Sequence, residues 1–126
     1  VPHLRFVLDH AAKPAIGSAA LAPWDALLAE LAAEPNVAAK VSGLITEAGP
    51  HWTADKIAPY GKHLVDCFGP DRLLVGSDWP VCTEWADYPG VLAVATGLLA
   101  GLDETEQQLA LGGTACGWYQ LARVRS

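Results

Sequence analysis

An α/β fold of repeating strand–helix units is what this sequence predicts, on three observations. Three short runs are nearly continuous in apolar residues, amphipathic helical patterns lie between them, and each run ends in polar residues. Continuous apolar runs suit strands covered on both faces, the habit of parallel sheets with helices above and below. A chain of 126 residues is long enough to bury a real core. With 52% hydrophobic and only 17% charged residues it is far from the composition of disordered chains.

The elements follow in order. Leu4-Arg5-Phe6-Val7-Leu8 reads as the first strand. Trp24, Leu27, Leu28 and Leu31 keep the i, i+3, i+4, i+7 spacing of a helix, with Pro23 suited to its first turn. Val37-Ala38-Ala39-Lys40-Val41 is the second strand. Ile57, Tyr60, Leu64, Val65 and Phe68 form the next helical stripe, with Thr53 as N-cap and Gly69-Pro70 as its stop. Leu73-Leu74-Val75 is the third strand, and Val91, Leu92, Ala95, Leu98, Leu99 and Leu102 make another stripe. Asp103 with Glu106 predicts a capping box opening a further helix. Gly112-Gly113-Thr114 predicts a break, followed by a last short helix carrying Trp118, Tyr119 and Leu121.

Strand starts at Leu4, Val37 and Leu73 are spaced like βα repeats. This pattern allows a doubly wound sheet or a (β/α)8 barrel. Three units cannot close a barrel, which takes eight strands in about 250 residues. No glycine-rich nucleotide-binding turn follows any strand.

Composition excludes several partners. Eight Lys and Arg against 14 Asp and Glu leave a net charge of −6, unsuited to binding a nucleic-acid backbone. No apolar run approaches the roughly 18 residues of a membrane span, and no signal-peptide pattern is present. Cys67, Cys82 and Cys116 are odd in number and lack a C-x-x-C spacing, which reads as reduced thiols in a cytoplasmic protein. The chain starts at Val1 and has no Met, and its apolar surplus suits surfaces that pack on further neighbours; both point to a partial chain.

The chemistry is expected at the strand exits. The first run ends at Asp9-His10, the second at Lys40, Ser42 and Gly43, the third at Ser77-Asp78. In parallel α/β folds these ends converge on one mouth. An imidazole and a carboxylate meeting there suit metal binding or acid–base catalysis. Strand alternation leaves Lys40 either facing the mouth, to bind a substrate carboxylate or hydroxyl, or turned back against a helix. His51, in the loop after the second strand, is a candidate substrate contact, and Trp79 a candidate apolar wall beside Pro80. His3 falls at the opposite face, His63 mid-helix in a solvated position, and Cys82 reads as an inert thiol, packed or exposed.

Three motifs in order, Leu8-Asp9-His10-Ala11-Ala12-Lys13-Pro14, Lys40-Val41-Ser42-Gly43-Leu44 and Gly76-Ser77-Asp78-Trp79-Pro80-Val81, carry a family resemblance. With Phe68-Gly69-Pro70-Asp71-Arg72-Leu73, the chain resembles the amidohydrolase-related lactonases of the amidohydrolase-2 group. Its members open sugar-acid lactones and 2-pyrone-4,6-dicarboxylate lactone. The resemblance implies a partial (β/α)8 TIM barrel. Residues 1–126 would be its last three βα units plus C-terminal helices, a C-terminal fragment of one domain. It implies Asp78 as general base activating water, and His10 as the group that polarises the substrate carbonyl or ligates a metal. Asp9 would orient His10. The cofactor stays open at none or one divalent metal such as zinc, held by His10 and Asp78 if used. The family's His-x-His pair is absent from these residues. The isolated chain is therefore expected to be inactive. A small-molecule lactone or carboxylated substrate is the expected partner, and a metal-dependent decarboxylase of the same group is the rival activity.

Overall fold

The computed structural model describes residues 1–122. Strands β1 (Phe6–Leu8), β2 (Val37–Val41) and β3 (Leu73–Val75) form one parallel sheet in the order β1-β2-β3. Phe6 pairs with Val37 and Leu8 with Ala39; on the other side Ala39 pairs with Leu73 and Val41 with Val75. β2 and β3 occupy their apolar runs. β1 is shorter than its run and is not covered on both faces: Leu4 and Phe6 are 48% and 45% exposed.

Helix α1 (Trp24–Ala32) follows β1, a short α2 (Leu44–Ala48) and the long α3 (Ala54–Phe68) follow β2, and α4 (Tyr88–Leu98), α5 (Glu104–Gln108) and α6 (Thr114–Trp118) follow β3. The starts of α3, α4 and α5 are fixed by side chains that satisfy free amides. Thr53 accepts from the Lys56 amide at 3.2 Å and Asp87 from the Gly90 amide at 2.8 Å. Asp103 and Glu106 exchange two bonds of 2.9 Å, the capping box the sequence predicts.

Three expectations need correction. The chain does not break at Gly112-Gly113: residues Leu109–Gly113 form a wide π-helical turn that joins α5 to α6, with Gly113 itself helical. Glycine costs a helix about 1 kcal/mol relative to alanine. Burial of Ala110 and a 2.7 Å bond from Thr114 Oγ1 to the Pro70 carbonyl offset that cost. Of the residues expected on the last helix only Trp118 is on α6: Tyr119 is its C-cap and Leu121 lies beyond it. His63 is not a solvated residue. Its Nε2 meets the Asp25 carbonyl at 2.8 Å and its ring stands 5.5 Å from that of Trp24, because α1 packs on α3.

The core lies between the sheet and α1, α3 and α4, where Val37, Ala39, Val41 and Leu73 meet Leu28, Ile57, Leu64 and Leu99. By alternation, Ala38 and Leu74 face the other way, yet they are 0% and 3% exposed. Helix α6 covers that second face. The Arg5 guanidinium donates to the Gly117 carbonyl at 3.1 Å and lies 5.7 Å from the Trp118 ring. The α/β class and the parallel sheet agree with a partial (β/α)8 barrel. No described helix is long and apolar enough to cross a membrane.

Candidate active site

All three strands deliver their carboxyl ends to one mouth, and the backbone there is strained. His10, Ala11, Ala12 and Lys13 have φ of 48°, 51°, 57° and 53°, so the chain leaves β1 through a left-handed turn. Each such L-residue costs roughly 1–2 kcal/mol. The turn persists because its surroundings determine it. Ala11 is fully buried, its carbonyl accepts from Trp24 Nε1 at 2.8 Å, and the Lys13 amide closes on the His10 carbonyl at 2.8 Å.

That turn aims the His10 ring into the mouth and lays it on Gly43. A Cβ at Gly43 would come within 2.9 Å of His10 Cβ and Cγ, and Gly43 itself has a φ of 69°. His10 Nδ1 lies 2.8 Å from Ser42 Oγ. Its Nε2 lies 3.3 Å from Asp78 Oδ1 and 3.4 Å from Asp9 Oδ2. Asp78 also has a positive φ, 60°, and its side chain is only 12% exposed. Thr46 Oγ1, on α2, donates to its second oxygen at 3.2 Å. Strain at both facing residues fits the clustering of unfavourable backbone at functional sites.

Lys40 is paired with Leu74 in the sheet and turns toward the mouth, where Nζ lies 3.0 Å from Asp9 Oδ1. The hydrogen bond from Lys40 holds the Asp9 carboxyl below its ordinary range, and the positive charge of Lys40 adds to it. The same bond raises the Lys40 ammonium above its ordinary value. A cavity of about 310 Å³ opens between Asp9, His10, Lys40, Asp78, Trp79 and Tyr119. That is the lower end of the size range of small-molecule sites.

The structure thus brings His10, Asp78, Lys40, Asp9 and Trp79 together. His51 is not among them: α2 intervenes after β2, leaving His51 exposed on the loop before α3, with its carbonyl accepting from Lys56 Nζ at 2.7 Å. Tyr88 is the first residue of α4, and Cys82 is buried behind the mouth. Sequence reasoning noted Ser42 as a strand-exit residue but not as the partner of His10, and it missed Thr46. The available signal was parity: Ser42 shares a strand face with Lys40. Among the described residues, no group of three or more His, Cys, Asp or Glu is placed to hold a metal ion. Zinc sites take three or four protein ligands. These residues do not make such a centre by themselves.

Comparison with known proteins places this arrangement. A family model described as amidohydrolase matches residues 1–121. The chain is 43% identical over 126 residues to an L-fucono-1,5-lactonase of Burkholderia ambifaria, covering 97% of this chain and 43% of that one. It is 43% identical over 128 residues to an L-fucono-1,5-lactonase of Burkholderia multivorans, covering 91% of this chain and 43% of the relative. The chain therefore spans less than half the length of these curated relatives. A crystal structure of an amidohydrolase from Burkholderia multivorans with bound zinc superposes with a TM-score of 0.86 at 42% identity, covering 94% of this chain and 45% of that chain.

Proposed function

The chain belongs to the amidohydrolase family, and from that premise we propose that the protein carrying it opens a small sugar-acid lactone by adding water to the carbonyl. Asp78 is the general base. The observation that carries this reading is its carboxylate, 12% exposed at the exit of β3, pinned by Thr46 on one oxygen and facing His10 with the other. A carboxylate so held can take a proton from a water placed against the substrate carbonyl, an effect worth roughly 10²–10⁴-fold in rate. The water oxygen bonds to the carbonyl carbon as Asp78 takes its proton, and the oxyanion that forms lies against His10. Collapse breaks the ring C–O bond, and the proton held by Asp78 passes to the leaving alkoxide, giving the open hydroxy acid. Lys40 and Asp9 hold substrate hydroxyls, and Trp79 walls the pocket.

The two relatives named as lactonases support the substrate class. In this reading residues 1–126 are the C-terminal part of one barrel domain, in a cytoplasmic enzyme, and the chain alone turns over nothing. The match of 94% of this chain to 45% of a solved neighbour supports its being part of a larger domain, and the three free thiols support a reducing compartment.

The test is hydrolysis of a panel that includes L-fucono-1,5-lactone and L-rhamnono-γ-lactone, followed by acid release. The intact protein is expected to open at least one member, with loss of activity in Asp78→Asn. An intact protein that opens none of them overturns the reading.

A further inference from the structure

Resting on the lactone-opening reading, we propose that Ser42 is a positioning residue that holds the neutral His10 ring in its Nε2–H tautomer. His10 then turns an N–H toward Asp78 in the resting site and donates it to the lactone carbonyl oxygen during hydrolysis.

Two ends of the ring act together in selecting this tautomer. Ser42 is 6% exposed, and the contact with His10 Nδ1 at 2.8 Å is its only side-chain hydrogen bond among the described residues. If Nδ1 carried the proton, Ser42 Oγ would accept it and the serine's own O–H would point at nothing. A buried donor left unpaired costs about 1–3 kcal/mol. With Oγ–H donating to Nδ1, both groups are satisfied. At the other end, Nε2 faces Asp78 Oδ1 at 3.3 Å and Asp9 Oδ2 at 3.4 Å. Ionised carboxylates only accept, so a bare Nε2 would set its lone pair against two acceptors. An Nε2–H turns the positive end of its dipole to them instead. The ring is wedged on Gly43, whose missing side chain leaves it room, so it stays against Ser42.

The tautomer decides the role of His10. A donor at Nε2 is what a developing oxyanion requires, whereas a metal-bound Nε2 must be bare. For His10 to ligate through Nε2, the Ser42 hydroxyl would have to turn from donor to acceptor.

The test uses the intact protein, chelator-treated and ¹⁵N-labelled in its histidine rings. Long-range ¹H–¹⁵N correlation is recorded at about pH 8.5, above the ordinary histidine pKa of about 6.5. The His10 signals are identified by their loss in His10→Gln. The expected pattern is a protonated-type Nε2 and a bare Nδ1 in the unsubstituted protein, kept in Ser42→Thr and lost to a mixture in Ser42→Ala. A bare Nε2 in the unsubstituted protein overturns the proposal, even if no variant folds, and so does a tautomer unchanged in Ser42→Ala. The companion expectation is a kcat reduced about tenfold in Ser42→Ala with KM nearly unchanged. Since the tautomer is read without turnover, an Nε2–H ring in a protein that opens no lactone sinks the hydrolase reading alone. An Nδ1–H ring in an active lactonase sinks only this one.

Discussion

In the helical layer, α3, α4 and α5 each start on a side-chain cap, and the buried residues of α3 and α4 follow helical spacing. At the strand exits the rules reverse. His10, Ala11, Ala12, Lys13 and Asp78 all take left-handed backbone, and Asp9, Lys40 and Asp78 crowd charge around His10 in one cavity. The helical layer uses local preferences to gain stability. The exits spend stability to aim two side chains at each other, and the packing around Ala11 and Gly43 keeps them there.

Asp78→Asn tests the division most severely. Asparagine tolerates the left-handed φ, so the intact protein is expected to keep its melting temperature while kcat falls by roughly 10²–10⁴-fold. A fall smaller than tenfold would mean that the exits are not where the chemistry lies.

Two glycines sharpen the contrast next. Gly43→Ala places a Cβ against His10, and Gly61→Ala places one against Leu98 where α3 meets α4. Each is expected to cost about 1–3 kcal/mol by denaturant unfolding, as overpacking does. Only Gly43→Ala is expected to lower kcat as well. Equal effects on kcat would erase the distinction between the two regions.

The same division governs what was legible in the sequence. Val37–Val41, Leu73–Val75, the Thr53 cap and the Asp103–Glu106 box follow from local pattern, and the structure has them where the pattern puts them. The meeting of His10 and Asp78 was legible as a convergence of parallel strand ends. Lys40 was not, since alternation gives parity but no absolute direction until the pairing of Lys40 with Leu74 is known. Helix α2 was hidden because Leu44 and Ile45 continue the apolar run after a left-handed Gly43, with no helical period to announce them. With α2 unseen, Thr46 had no address near Asp78 and His51 was set too close to the mouth. The turn at Leu109–Gly113 defied its glycines because packing against β3 overrode propensity.

A smaller effect comes from the helical layer. Asp103→Ala removes a cap and is expected to lower unfolding free energy by about 1 kcal/mol, with kcat unchanged. A loss of activity there would break the separation from the other side.

The smallest effect is electrostatic and belongs to the exits. Asp9 is lowered and Lys40 raised by their mutual hydrogen bond. The stability from Asp9 is present above its unfolded pKa and lost as pH falls through its lowered folded value. That from Lys40 is present below its unfolded pKa and lost as pH rises through its raised folded value. Urea unfolding of Asp9→Asn against the unsubstituted protein should therefore show a gap at neutral pH that closes at both extremes. With Asp9 62% and Lys40 35% exposed, the gap is small and shrinks with salt. A gap constant across pH would remove the ion pair from the account.

The tie between Arg5 and Gly117, 112 positions apart, also sets a timetable for the nascent chain. The face packed by α1 and α3 can close soon after β3 leaves the ribosome. Ala38 and Leu74 on the second face wait for α6. At about 5–20 residues per second, that wait is a few seconds. For that interval the growing sheet carries an uncovered apolar face, so the last short helix of the chain decides how long that face stays exposed to other chains.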